Sequence, residues 1–187
     1  GKKPKTLPYR IHDDPDPQKL ENLREFSAKL GYKLKSTSTK GATARALNKL
    51  MADVAGKREA KLVQTIALRS MMKAKYSVHN IGHFGLAFDY YTHFTSPIRR
   101  YPDTMVHRLL TRYQEGGRSA NKNHYEEVCE HCSDMEQIAQ NAERDSVKYK
   151  MVEFMGDKIG EQFDAHISGI TAYGIYAEID ENHCEGM

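Results

Sequence analysis

Long apolar runs are missing from this sequence. No stretch of its 187 residues approaches the roughly 20 consecutive apolar positions that cross a bilayer, so no membrane-spanning helix is expected. The opening residues, GKKPKTLPYR, have no apolar core, and no secretory signal is expected there. Cysteine is scarce and odd in number, three in all, which argues against a disulfide scaffold. A reducing, cytoplasmic setting is the corresponding expectation. Internal repeats and low-complexity segments are also missing. Charge of one sign is barely in excess: Lys and Arg number 28 against 25 Asp and Glu, for a net charge of +3 and a pI of about 8.6. Net charge alone therefore does not establish nucleic-acid binding.

The distribution of charge says more. Lys33, Lys35, Lys40, Arg45, Lys49, Lys57, Arg58 and Lys61 face only Asp53 and Glu59 over residues 33–61. Arg99, Arg100, Arg108, Arg112 and Arg118 follow, and residues 126–164 then reverse the sign with eleven carboxylates from Glu126 to Asp164. A basic face beside an acidic one would orient an anionic ligand, although solvated charge on helix surfaces gives the same pattern.

The chain length suits one domain or one and a part. Four prolines within the first 17 residues make an extended arm of residues 1–16. Asp16 followed by Pro17 is a helix start, Leu20, Leu23, Phe26 and Leu30 form an apolar stripe, and Gly31 is a stop. Residues 35–41 read as a loop and residues 43–54 as a second helix with Ala46, Leu47, Leu50 and Val54 inward. A third helix, about 57–73, is apolar nearly all round and so is expected to be buried; its Arg69 then needs a carboxylate partner or a ligand phosphate. Short strands around glycine turns are expected over Tyr76–Phe94. Ser96 and Pro97 open the next helix, with Pro102 giving a break or a fresh first turn, and Gly116–Gly117 closes it. Asn123 with Glu126, and Ser133 with Glu136, read as capping boxes of two separate helices. The second runs to about Met155 on a stripe of Met135, Ile138, Ala142, Tyr149 and Val152. From Gly156 the pattern turns to period two, so a domain boundary is expected near 155. About 32 residues remain, enough for two or three strands and too few for a five-stranded barrel, so the chain is expected to stop inside a domain. The class is α+β, mainly helical with short antiparallel strands, followed by an incomplete β unit.

The densest chemistry lies in HNIGHFGLAFDYYTHFTSPIRRYPD, residues 79–103. A helix N-terminus at Ser96–Arg100 would present N–H groups to an anion, and Arg99 and Arg100 add planar forks that match phosphate. Tyr90, Tyr91, Phe94 and Tyr101 are rings on which bases can stack. The competing reading pairs these arginines with Asp103 and the acidic helix, and leaves His83, His93 and His107 as core or surface histidines. Cys129-Glu130-His131-Cys132 has zinc-like residue types, but it falls in a helical stretch and reads as ordinary thiols.

That segment resembles the signature near the end of the catalytic RNB domain in the ribonuclease II/ribonuclease R family. RIHDDPDP at 10–17, LRSMMKAKY at 68–76 and NAERD at 141–145 resemble its flanks in the same order. RRYPD and HFGLA resemble the ribonuclease R branch more closely. GDKIGEQFDAHISGITAYGIYAEI resembles the opening strands of an S-one type OB-fold, and EGM the start of its third strand region. The resemblance implies residues 1–155 as the C-terminal portion of an RNB domain and 156–187 as a truncated OB-fold. It implies a processive 3′-to-5′ exoribonuclease that uses a divalent metal, Mg2+, on single-stranded RNA and releases nucleoside 5′-monophosphates. The family's metal-holding aspartates belong to the first part of the domain; Asp13 and Asp14 do not match them. A chain of this extent is expected to be inactive alone and to bind no metal itself.

Arg99 matches the arginine that contacts the scissile or terminal phosphate, and Glu143 a residue near the active site. His93, Thr95, Ser96, Arg100, Tyr101 and Arg69 would position RNA, and Tyr173 and Tyr176 fall where an OB-fold presents stacking rings. No protein partner is called for. The alternative function is a non-catalytic RNA-binding module, and a helical adaptor is a third reading that leaves the aromatic and arginine cluster unexplained.

Overall fold

The structure is a computed structural model that describes residues 4–35 and 39–187; residues 36–38 of the expected loop at 35–41 and the first three residues of the arm lie outside the described residues. The chain divides into two compact units, one up to Asp134 and one from Met135 onward.

In the first unit the arm contributes β1 (Tyr9–Ile11), which pairs antiparallel with β2 (Lys75–Ser77). Three helices lie between them in sequence: α1 (Pro17–Lys29), α2 (Lys40–Val54) and α3 (Ala60–Ser70). The Asp16 carboxylate accepts from the Lys19 N–H at 3.0 Å, and Pro17 starts α1. Gly31, at φ +87°, turns the chain just beyond its end, in the left-handed region that glycine enters without penalty. Thr39 caps α2 by accepting from the Ala42 N–H. The helices bury Leu23, Leu34, Leu47, Leu50, Val54, Val63 and Ala67 together, and Phe84 packs against this core from the glycine-rich segment.

Helix α3 departs from expectation. It is shorter, and it is not buried all round: Leu62 is 52% and Leu68 74% exposed. Only the stripe of Val63, Ala67 and Ser70 is buried. An apolar circumference does not by itself say which side is covered. Arg69, on the outer side, is exposed and needs no internal partner.

A second core joins Tyr76 and Val78 to Met105 of α4 (Tyr101–Gln114) and Cys129 of α5 (Lys122–Gly156). α5 is one helix of 35 residues where two were expected. Ser133 opens nothing: its hydroxyl donates to the Cys129 carbonyl at 2.9 Å and accepts the Tyr76 N–H at 3.0 Å, so the serine is satisfied inside the helix. Asn121, not Asn123, accepts from the first-turn His124 N–H. Glu126 reaches β2 instead of a cap, accepting from Ser77 Oγ and from the Val78 N–H, both at 2.7 Å. The stripe expected to face inward along the rest of α5 is exposed at Met135, Ile138, Tyr149 and Val152.

The second unit holds the remainder of α5 and a three-stranded antiparallel sheet, β3 (Ala165–Thr171), β4 (Gly174–Ile179) and β5 (Glu185–Gly186), in that order. The β3–β4 register shifts between Ile167 and Gly169. The strands carry the alternation read from residue 163 onward, and they form an open sheet rather than a barrel.

Replacing Glu126 with alanine would leave the Ser77 and Val78 donors without their acceptor. A loss of about 1–3 kcal/mol is expected, measured as a fall in denaturant midpoint against the parent protein.

Candidate functional site

Residues 78–100 form an irregular segment whose backbone is tied to the arm. The Arg10 N–H donates to the Tyr91 carbonyl at 2.9 Å, the His12 N–H to Gly82 at 3.1 Å, and the Phe84 N–H to His12 at 2.9 Å. Isolated bridges link His83 to His12 and to Phe88, in place of the fuller strands expected here. His12 is itself clamped. Its Nε2 lies 2.7 Å from the Met72 carbonyl, and its Nδ1 accepts from the Gly85 N–H at 3.0 Å. The ring is thus held from both sides, with Nδ1 as the acceptor for Gly85. A Cβ at Gly85 would stand 2.9 Å from His12 Nδ1, so the approach depends on glycine.

The rings of this segment form a ladder. His12 meets His83 edge-on at 5.0 Å, His83 meets Tyr91 at 5.3 Å, Tyr91 meets His93 at 5.7 Å, and His93 meets Tyr76 at 5.5 Å. The Tyr76 hydroxyl and His93 Nδ1 share a hydrogen bond of 2.8 Å, and the Arg10 guanidinium lies 4.6 Å over the Tyr76 ring. Edge-to-face pairs each add about 0.5–1.5 kcal/mol beyond area burial. His93 and Tyr91 are thus held by neighbouring rings, whereas Tyr90, Phe88 and Phe94 are exposed.

The turn that carries the arginines is fastened to one face of α4. Asp103, fully buried, accepts on Oδ2 from the Ser96 N–H at 2.7 Å and from the Arg100 guanidinium at 3.0 Å. Thr104 Oγ1 donates to the Pro97 carbonyl at 3.1 Å. His107 Nε2 lies 2.8 Å from the Phe94 carbonyl while its ring stacks on Phe94 at 4.1 Å. Within the turn, the Ser96 carbonyl accepts from the Arg99 and Arg100 N–H groups.

Two sequence expectations change here. α4 begins at Tyr101, not at Ser96, with Arg100 as its cap residue and Pro102 in its first turn. Pro102 brings no N–H, and the Asp103 carboxylate turns back to the Ser96 N–H and the Arg100 guanidinium rather than to the N–H groups of its own first turn. The two arginines also separate: Arg100 is turned inward to Asp103, whereas Arg99 is exposed and its side chain makes no hydrogen bond or ion pair among the described residues. Thr95 and Tyr101 are exposed beside it in sequence, and Ser96 is half-buried.

The remaining candidates lie elsewhere. Arg69 lines a depression of about 670 Å3 with Lys19, Lys73, Lys75 and Asp13, to which residues 94–103 contribute nothing. In the second unit, Glu143 is exposed on α5, Tyr173 is 90% exposed at the β3–β4 turn, and Tyr176 is half-buried opposite Gly169. Cys129 packs as a small apolar side chain, and burial pushes its thiol up to about 12; burial also raises Cys132. Among the described residues, no group of three or more His, Cys, Asp or Glu side chains could hold a metal ion, and no helix is long and apolar enough to cross a membrane. Sequence reasoning missed His12 as a support of the loop, whereas His107 takes the structural role that the competing reading gave it. His12 and Gly85 are 73 residues apart, and no local pattern announces their contact.

Residues 1–116 match the RNB domain model, and the chain belongs to the RNB domain family. Within it, the chain is similar to ribonuclease R. It is 43% identical over 182 residues to ribonuclease R of Aquifex aeolicus, covering 96% of this chain and 26% of that protein. Against ribonuclease R of Escherichia coli the identity is 36% over 191 residues, with 96% and 23% covered. Among solved structures, RNase R of Mycoplasma genitalium superposes with a TM-score of 0.81 at 31% identity, covering 97% of this chain and 29% of that one; it has been solved in complex with ribose methylated single-stranded RNA. The chain spans about a quarter of the length of the curated relatives it matches.

Burial, reinforced by His12 and Arg10, holds the His83 imidazole below its usual value, and its Nδ1 accepts from the Leu86 N–H at 3.2 Å. As pH falls below about 6.5, the ordinary imidazole value, the unfolded chain takes up a proton that the folded chain resists. Stability is therefore expected to fall with pH between that value and the lower folded one. Melting temperatures from pH 7.5 to 5 should drop more steeply for the parent than for His83→Gln.

Proposed function

We propose that this protein carries the phosphate-handling part of a processive 3′-to-5′ exoribonuclease of the ribonuclease R type. The intact enzyme acts on single-stranded RNA and releases nucleoside 5′-monophosphates in the cytoplasm. The observation that carries this reading is Arg99: an exposed guanidinium without a partner among the described residues, on a turn that α4 holds in place, inside a chain of the RNB family. A planar fork can donate two parallel hydrogen bonds to one phosphate group and balance the charge that builds on its oxygens as water attacks phosphorus.

The neighbouring residues divide by what they have left to offer. Thr95 and Tyr101 are exposed and can meet the strand, Tyr101 by stacking on a base. His93, Ser96 and Arg100 are engaged within the protein and contribute by holding the turn. Arg69 belongs to a separate basic depression that can take backbone phosphates outside the turn. Glu143 enters on the resemblance of NAERD alone, as a carboxylate that serves the reaction. Residues 156–187 are assigned to the opening strands of an S-one type OB-fold, with Tyr173 and Tyr176 as its stacking rings.

Exoribonucleases of this family depend on metal, and Mg2+ is the ion we assign. The described carboxylates do not form a site that fits it, so no step is derived through it from these residues.

In the intact protein, Arg99→Ala is expected to lower kcat on 5′-labelled single-stranded RNA by about 100-fold or more. Its melting temperature should stay close to that of the parent, because the side chain supports nothing internal. Normal turnover by this variant would sink the assignment.

A further inference from the structure

We propose that Asp103 is a positioning residue for the phosphate contact, acting through the turn that presents Arg99; this rests on the reading of Arg99 given above. An acidic residue in the first turn of a helix ordinarily answers the N–H groups of that same turn. Asp103 reaches further back. Its Oδ2 takes the N–H of Ser96, seven residues upstream, together with the guanidinium of Arg100. The chain from Ser96 to Arg100 is thereby closed against α4, and Arg99 occupies the only position of SPIRR that is both cationic and unspent.

The carboxylate is fully buried, so it touches neither solvent nor RNA. Its second oxygen, Oδ1, and Arg100 Nε are also buried and make no hydrogen bond among the described residues, which leaves Oδ2 carrying both contacts. A buried charge held this way is costly to disturb. Asparagine at this position keeps an acceptor for Ser96 and loses the charge that holds Arg100. The turn is then free to shift, and a displacement of about 1 Å at a reacting group costs on the order of 100-fold in rate.

The test is a kinetic cycle in the intact protein with Asp103→Asn, Arg99→Ala and the double variant, assayed on single-stranded RNA at saturating Mg2+. Asp103→Asn is expected to lower kcat by about 10- to 100-fold and to change KM by less than about threefold. In the Arg99→Ala background the same substitution should change kcat by less than about threefold, because the group it positions is gone. Equal losses in both backgrounds, or no loss in the parent, would overturn the proposal while leaving Arg99 in place. No loss from Arg99→Ala would instead overturn the reading on which it rests. If Asp103→Asn does not fold, Ser96→Pro deletes the donated N–H and leaves α4 untouched. It should reproduce the selective loss of kcat, and full activity in that variant would also overturn the proposal.

Discussion

A single carboxylate oxygen holds the arginine turn in place. Burying a charged carboxylate is costly unless donors compensate it. Asp103 finds two, the Ser96 N–H and the Arg100 guanidinium, and both come from the segment that must be held. Thr104 and His107 extend the same face of α4 along that segment, through Pro97 and Phe94. The helix is anchored in turn by Met105, Val106 and Leu109, all buried. The turn thus inherits the rigidity of the core through three side chains at successive positions of one helix face.

The glycine and aromatic segment ahead of the turn works by a different device. It has almost no regular structure, and its backbone groups at Gly82, Phe84 and Tyr91 are answered by Arg10 and His12 of the arm. Rings then lock edge-on from His12 to Tyr76, and Gly85 lets the backbone approach the His12 imidazole. His12 and His83 are structural acceptors for backbone N–H groups, in line with the reading of His83 as a core or surface histidine. What this arrangement leaves exposed, Arg99 with Thr95 and Tyr101 close by in the chain, is the part available to a polyanion.

Much of the fold was legible in the sequence because its signals are local. Asp16 before Pro17, Gly31 after the stripe, and the period-two pattern from residue 163 each speak for their own element. Three features were not legible. Which side of α3 is covered depends on neighbours, so Leu62 and Leu68 read as core and are exposed. Ser133 has the residue type of a cap, and only the Tyr76 N–H opposite it explains why α5 continues. The start of α4 was masked by two prolines five residues apart, each a credible first turn; Asp103 decides for the second by spending its carboxylate on Ser96. The candidate site was legible as a cluster, but the division of labour between Arg99 and Arg100 was not, because it follows from that helix start.

Membership of the RNB family and similarity to ribonuclease R agree with the segment on which this reading is built. The central claim is a contact between one guanidinium and one phosphate. A structure of the intact protein with a single-stranded RNA carrying a non-hydrolysable linkage at its 3′ end measures it directly. The Arg99 guanidinium is expected at hydrogen-bonding distance from phosphate oxygens, with Arg100 still on Asp103. An RNA phosphate bound by Arg100 or by other cations, with Arg99 left in solvent, would contradict the account.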